Sequence, residues 1–138
     1  MRLNTHIAFN GQCEAAFRLY EQCLAGKITV MLTYGASPMA SSAPDLADKI
    51  LHATLKVGDQ TLTGADVPLN AYNKPQGFAV QLNIDDPQEA QRIFNTFSEG
   101  GIVQLPLQKT FWAERYAILT DRFGTPWEIN CGKIATSM

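Results

Sequence analysis

One helical stripe occurs twice in this chain, and the two copies superpose under a single shift. Over residues 13–24 the apolar positions are Cys13, Ala16, Phe17, Tyr20 and Leu24, spaced i, i+3, i+4, i+7, i+11. Over residues 87–99 they are Ala90, Ile93, Phe94 and Phe97, with the same opening spacing. Stripes of this period predict two amphipathic helices, each with one buried face. Positions 13, 16, 17 and 20 map onto 90, 93, 94 and 97, always 77 apart, so the chain reads as a duplication.

The flanks of the two helices agree. Asn10-Gly11 is a turn before the first and Gly26 a stop after it. Asp86 is the N-cap of the second, with Pro87 at the first helical position and Glu89 completing a capping-box pattern, and Gly100-Gly101 ends it. Ahead of the helices lie the apolar runs "THIAF" and "FAVQLNI". Behind the first come "KITVMLT", "ILHATLKV" and "QTLTG", with Gly58-Asp59 as a hairpin turn. Behind the second come "IVQLP", "ERYAILT" and "PWEINC", with "DRFG" as the corresponding turn. Each half therefore reads β-α-β-β-β. The predicted architecture is α+β in one domain, with module one over about residues 3–64, a joining segment over 65–76 and module two over about 77–131. The small, polar, Pro-containing stretch 34–49 is a long loop, either a lid or a floppy insertion.

An antiparallel sheet with one helix packs that helix on one face and leaves the other open. In a duplicated chain the two open faces can curl together into a cleft. Strand residues pointing away from the helices are then the candidate site. In "TPWEINC" alternation puts Trp127, Ile129 and Cys131 on one face and Pro126, Glu128 and Asn130 on the other. The apolar set belongs under a helix, so Glu128 faces the cleft, as a solvated strand residue or as a site residue.

Composition narrows the partners. Apolar residues make up 46% and charged residues 17%, with a net charge of −2. That balance offers no basic patch for nucleic acid or an anionic membrane. No apolar run reaches the roughly 18 residues a transmembrane helix needs, and "MRLNTHIAFNG" is not expected to be a signal peptide. The three cysteines, Cys13, Cys23 and Cys131, form no C-x-x-C pair. Cys13 and Cys23 on one helix would stand about 15 Å apart, beyond disulfide reach. All three are expected to be reduced, in a cytoplasmic protein.

The segments "FNGQCEAAFRLYEQCLAGKI", "KILHATLKVGDQTLTGAD" and "PLQKTFWAERYAILTDRFGTPWEINC" cover most of the chain and carry a resemblance. They are similar to the vicinal oxygen chelate superfamily, the glyoxalase, bleomycin-resistance and extradiol-dioxygenase fold. Within it the words "QKTFW", "FGTPWEINC" and "LHATLKVG" resemble the PhnB-like group, also labelled 3-demethylubiquinone 3-methyltransferase-like. The resemblance implies two βαβββ modules forming an open half-barrel, a homodimer and a small-molecule cleft. In metal-dependent relatives the ligands come from the first and last strands of each module. Carried over, those positions fall on Thr5 (His6 adjacent), near Thr63, on Ala79 and on Glu128.

Only Glu128 is a good ligand as it stands, and a divalent ion needs about three His, Glu or Asp donors. No catalytic metal is therefore expected; if an ion binds, Glu128 holds it. His6 and His52 are the two histidines, and alternation puts His52 on the less apolar face of its strand. Phe111, Trp112, Arg115 and Tyr116 are either a pocket wall for a flat or apolar ligand, with Arg115 to pair an anion, or packing at a dimer interface. The expected ligand-binding set is Glu128, His52, Trp112, Arg115, Tyr116 and His6.

Two functions compete on these residues. One is a dimeric small-molecule-binding protein without a catalytic metal. The other is a metal-dependent lyase, isomerase or dioxygenase using Glu128 as ligand or base. Methyl transfer from S-adenosylmethionine commonly rides on a Rossmann-like sheet with a Gly-rich turn after its first strand. Here that strand is followed by "NGQCE", and no G-x-G-x-x-G occurs. Several Arg or Lys that would converge on a phosphonate are likewise not evident.

Overall fold

The structure is a computed structural model that describes residues 1–132. It divides into two compact units, Met1–Lys74 and the chain from Pro75 on. The first unit runs β1 (Thr5–Phe9), α1 (Cys13–Cys23), β2 (Lys27–Thr33), β3 (Ile50–Val57) and β4 (Gln60–Asp66). The second runs β5 (Val80–Ile84), α2 (Pro87–Ser98), β6 (Ile102–Gln108), β7 (Arg115–Thr120) and β8 (Pro126–Cys131). The sheet orders are β1-β4-β3-β2 and β5-β8-β7-β6, one topology used twice. In each sheet the first and last strands pair parallel and the remaining pairs are antiparallel. Both are open α+β layers with one helix on one face, as the β-α-β-β-β reading requires.

In the first unit α1 packs on β2, β3 and β4. Its buried stripe is Cys13, Ala16, Phe17, Tyr20 and Cys23, so Cys23 takes the inward place expected for Leu24. Phe17 meets Phe9 edge-on, ring centroids 6.0 Å apart. A Cβ on Gly64 would stand 2.7 Å from the Phe17 ring, so β4 can lie this close to α1 only with glycine there. Gly26 does not supply the left-handed turn after α1. Ala25 does, with φ of 52°. Gly26 is needed because a Cβ would meet the Lys56 carbonyl at 2.8 Å.

In the second unit α2 buries Ala90, Ile93 and Phe97. Phe97 stacks on Trp127 at 4.6 Å, which places Trp127 under the helix as alternation predicted. Asp86 caps α2, its carboxylate accepting from the Gln88 N–H at 3.0 Å. Asp121 builds the β7–β8 turn. One of its oxygens accepts from the Phe123 and Thr125 N–H groups, and the other accepts from the Trp127 indole N–H at 2.8 Å.

Two expectations change. β4 runs through Asp66, two residues into the stretch read as a joining segment. Asp66 is 1% exposed, and its two carboxylate oxygens accept from the Cys13 and Ile50 N–H groups, each at 2.9 Å. It caps α1 from across the sheet, which is why Gln12 makes no side-chain cap. The loop 34–49 is also more tied down than a floppy insertion. Tyr34 and Ser37 are buried, Pro44–Leu46 forms a 3-10 turn, and the Tyr34 hydroxyl donates to the Asp66 carbonyl at 2.8 Å. The Tyr34 N–H bonds the Lys49 carbonyl, closing the loop at its base. Among the described residues no helix is long and apolar enough to cross a membrane.

Candidate functional site

Each sheet turns a polar row away from its helix. In β5 the residues on that face are Gln81 and Asn83, alternating with the less exposed Val80, Leu82 and Ile84. In β8 they are Glu128 and Asn130, and in β7 Tyr116 and Ile118. Parallel pairing sets Gln81 opposite Glu128 and Asn83 opposite Asn130. Antiparallel pairing sets Tyr116 opposite Asn130 and Ile118 opposite Glu128.

These side chains form one connected run. Gln81 Nε2 donates to Glu128 Oε1 at 2.7 Å. Asn83 Nδ2 donates to Gln81 Oε1 at 3.3 Å, and Asn130 Nδ2 donates to Asn83 Oδ1 at 3.1 Å. Burial pushes the Tyr116 phenol up to about 12, helped by the hydrogen bond it donates to Glu128 and by that carboxylate's charge. Tyr116 therefore stays a neutral donor at physiological pH. Its ring meets Trp112 edge-on at 5.0 Å, and Trp112 meets Phe111 at 4.8 Å. A carboxylate held by two donors beside an aromatic wall is the usual make-up of a small-molecule site.

The first sheet carries a smaller row. His6 Nδ1 and Thr63 Oγ1 are 2.7 Å apart, and His52 Nε2 and Thr54 Oγ1 are 3.1 Å apart. Burial, and then repulsion from His52, holds His6 below its ordinary value of 6.5.

The residues expected at the site divide accordingly. Glu128, Tyr116 and Trp112 come together in the second unit, and His6 and His52 share the helix-free face of the first. Arg115 does not join Tyr116. It is the next residue on β7, so its side chain leaves from the opposite face, level with Cys131, and its Nη1 donates to the Glu114 carbonyl at 2.9 Å. Phe111 is 85% exposed at the outer end of the ring series. The first-strand positions carried over from the resemblance also move, by one residue in β1 and by two in the second unit. The partner of Thr63 is His6, while Thr5 pairs with Leu62 on the helix side. The partner of Glu128 is Gln81, and Ala79 lies before β5 begins. Gln81 and Asn83 were not singled out in the sequence, although the alternation in "VQLNI" puts both on the polar face.

These positions do not make a metal's donor set. The register brings together a His with a Thr in one sheet and a Gln with a Glu in the other. Among the described residues no three of His, Cys, Asp and Glu gather where one ion could be held.

Comparison with known proteins places this geometry in a family. The family model for 3-demethylubiquinone-9 3-methyltransferase matches residues 1–130. Protein YjdN of Escherichia coli K12 is 27% identical over 144 residues, covering 96% of this chain and 97% of YjdN. The crystal structure of PA1353 from Pseudomonas aeruginosa is 42% identical with a TM-score of 0.87, covering 96% of this chain and 98% of that one. A glyoxalase/bleomycin resistance protein/dioxygenase family enzyme from Burkholderia phytofirmans shares the fold at 13% identity and a TM-score of 0.63, covering 93% of this chain and 95% of that one. With the duplicated module, its register and these matches in agreement, the chain belongs to the family described as 3-demethylubiquinone-9 3-methyltransferase, a PhnB-like group with the glyoxalase, bleomycin-resistance and dioxygenase fold.

Proposed function

We propose that this chain is a homodimeric cytoplasmic protein that binds a small molecule on the helix-free face of β5–β8 without a catalytic metal. The observation that carries this reading is Glu128, fixed between Gln81 and Tyr116 beside the Trp112 ring. A carboxylate so held is pre-organised, so a ligand would not have to order it on binding. The rings supply apolar area at low entropic cost.

Ile102 on the edge strand β6 is 58% exposed, and Val103 beside it is also exposed, which supports a second copy covering this edge. The cysteines are free and buried, which suits a reducing compartment. The methyl transfer in the family's description is not the reading we take. Both sheets are mixed four-stranded layers, unlike the doubly wound parallel sheet that commonly carries S-adenosylmethionine chemistry.

The test is a thermal-shift screen of a chemically broad library on the wild type and on Glu128→Ala, with light scattering for the mass. The reading predicts ligands that raise the Tm of the wild type and lose that effect in the variant, on a particle of twice the chain mass. Ligands acting equally on both proteins, or a monomer, would overturn the corresponding part.

A further inference from the structure

The hydrogen-bond run on the second sheet has a direction, and the direction selects a ligand class. A carboxylate only accepts, so Gln81 must turn its NH2 toward Glu128. That leaves Gln81 Oε1 to accept from Asn83 Nδ2, and Asn83 Oδ1 to accept from Asn130 Nδ2. Every amide is thereby oriented by the charge at one end. At the other end Asn130 Oδ1 is left as a buried acceptor without a partner, on a residue 2% exposed. A buried carbonyl oxygen with no donor costs free energy on the order of 1–3 kcal/mol. Such a group in a native fold calls for an explanation.

The two ends of the run therefore want the same thing. Glu128 has lone pairs beyond those used by Gln81 and Tyr116, and Asn130 has an unused oxygen two residues along the same strand and face. Both accept, and neither can donate where it is free. The strand residues of this face carry one formal charge, that of Glu128, because Arg115 lies on the opposite side. Beside them stand the Trp112 and Tyr116 rings, whose faces attract a cation.

We propose that this face takes a small organic cation, an ammonium or guanidinium group on an apolar body, its N–H donors going to Glu128 and its body against Trp112 and Tyr116. This rests on the reading that the face is the binding site, and it names the ligand class. Carboxylates, phosphates and phosphonates are disfavoured, since they would bring a second negative charge beside Glu128.

The experiment uses probes matched within each set on a shared apolar body. Tryptamine is compared with indole-3-propionate, and benzylamine with phenylacetate and benzyl alcohol, by calorimetry and thermal shift on the whole protein. The proposal predicts that the two amines bind and the acids and alcohol do not. It also predicts that Glu128→Gln, which keeps shape and an acceptor but removes the charge, weakens amine binding on the order of tenfold to a hundredfold. Circular dichroism of the variant confirms its fold, and Trp112→Ala, which removes a ring the apolar body would rest on, gives a second variant predicted to weaken the amines. Binding of the acids in preference to the amines overturns the proposal, as does amine binding unchanged in Glu128→Gln, or failure of both amines to bind. If the amines fail while the broad library yields a Glu128-dependent neutral or anionic ligand, the binding reading stands and the cation assignment falls.

Discussion

Glu128 and Gln81 face each other across the parallel β5–β8 pair, with Gln81 Nε2 donating to Glu128 Oε1 at 2.7 Å. The same register in the first sheet sets His6 opposite Thr63, also at 2.7 Å. One duplicated backbone thus presents two hydrogen-bonded pairs of different chemistry. Only the second contains a carboxylate, and only the second is backed by aromatic rings.

Glu128 accounts for much of the behaviour of Tyr116. The raised value of about 12 comes first from burial and then from Glu128. Glu128→Gln removes the charge, so Tyr116 should titrate lower, closer to the ordinary 10. Unfolded tyrosine loses its proton near 10 while folded Tyr116 keeps it, so its stabilising contribution is complete below pH 10 and is lost as pH rises toward 12. Phenolate absorbance, compared between wild type and variant, reads the shift. Superposable titrations would contradict it.

Asp66 is a structural carboxylate. Replacing it with Ala strands the buried Cys13 and Ile50 N–H groups. At about 1–3 kcal/mol for each stranded donor, Asp66→Ala should lose about 4 kcal/mol in urea unfolding. A loss below about 1 kcal/mol would show that the cap matters little.

How much of this was legible in the sequence depends on the range of the interaction. Both helices and the order of all eight strands followed from short-range periodicity, and "TPWEINC" placed Trp127 under α2 and Glu128 opposite it. What did not follow needed partners far along the chain. Asp66 reads as a polar residue in a joining segment until β4 pairs with β1 and its carboxylate meets α1, 53 positions earlier. The choice between Thr5 and His6 turns on one residue of parallel register, which the β1 sequence does not contain. Arg115 is a different case. It was grouped with Tyr116 because they are adjacent, although adjacent strand residues point to opposite faces.

That placement makes Arg115 a control. Arg115→Ala should leave the affinity of any Glu128-dependent ligand within about twofold, because its side chain lies on the helix side of β7. A tenfold loss in calorimetry, about 1.4 kcal/mol, would put Arg115 in the site after all.

His6 should make the protein acid-sensitive. Burial and His52 hold it below 6.5, while in the unfolded chain it titrates near that value. As pH falls below 6.5 the unfolded state gains a proton that the folded state refuses, so stability declines and then levels off beneath the folded value. The Tm of wild type should therefore fall more steeply from neutral to mildly acidic pH than that of His6→Gln. Parallel curves would contradict the assignment.

The central claim is that Glu128 binds a small molecule without help from a metal. It is tested most directly by calorimetry of one Glu128-dependent ligand, titrated into wild type with and without a chelator and into Glu128→Ala. The account predicts the same affinity in both wild-type titrations and a loss of binding in the variant. Binding abolished by the chelator, and restored by Mn, Ni or Zn, would contradict it and make the site a metal centre.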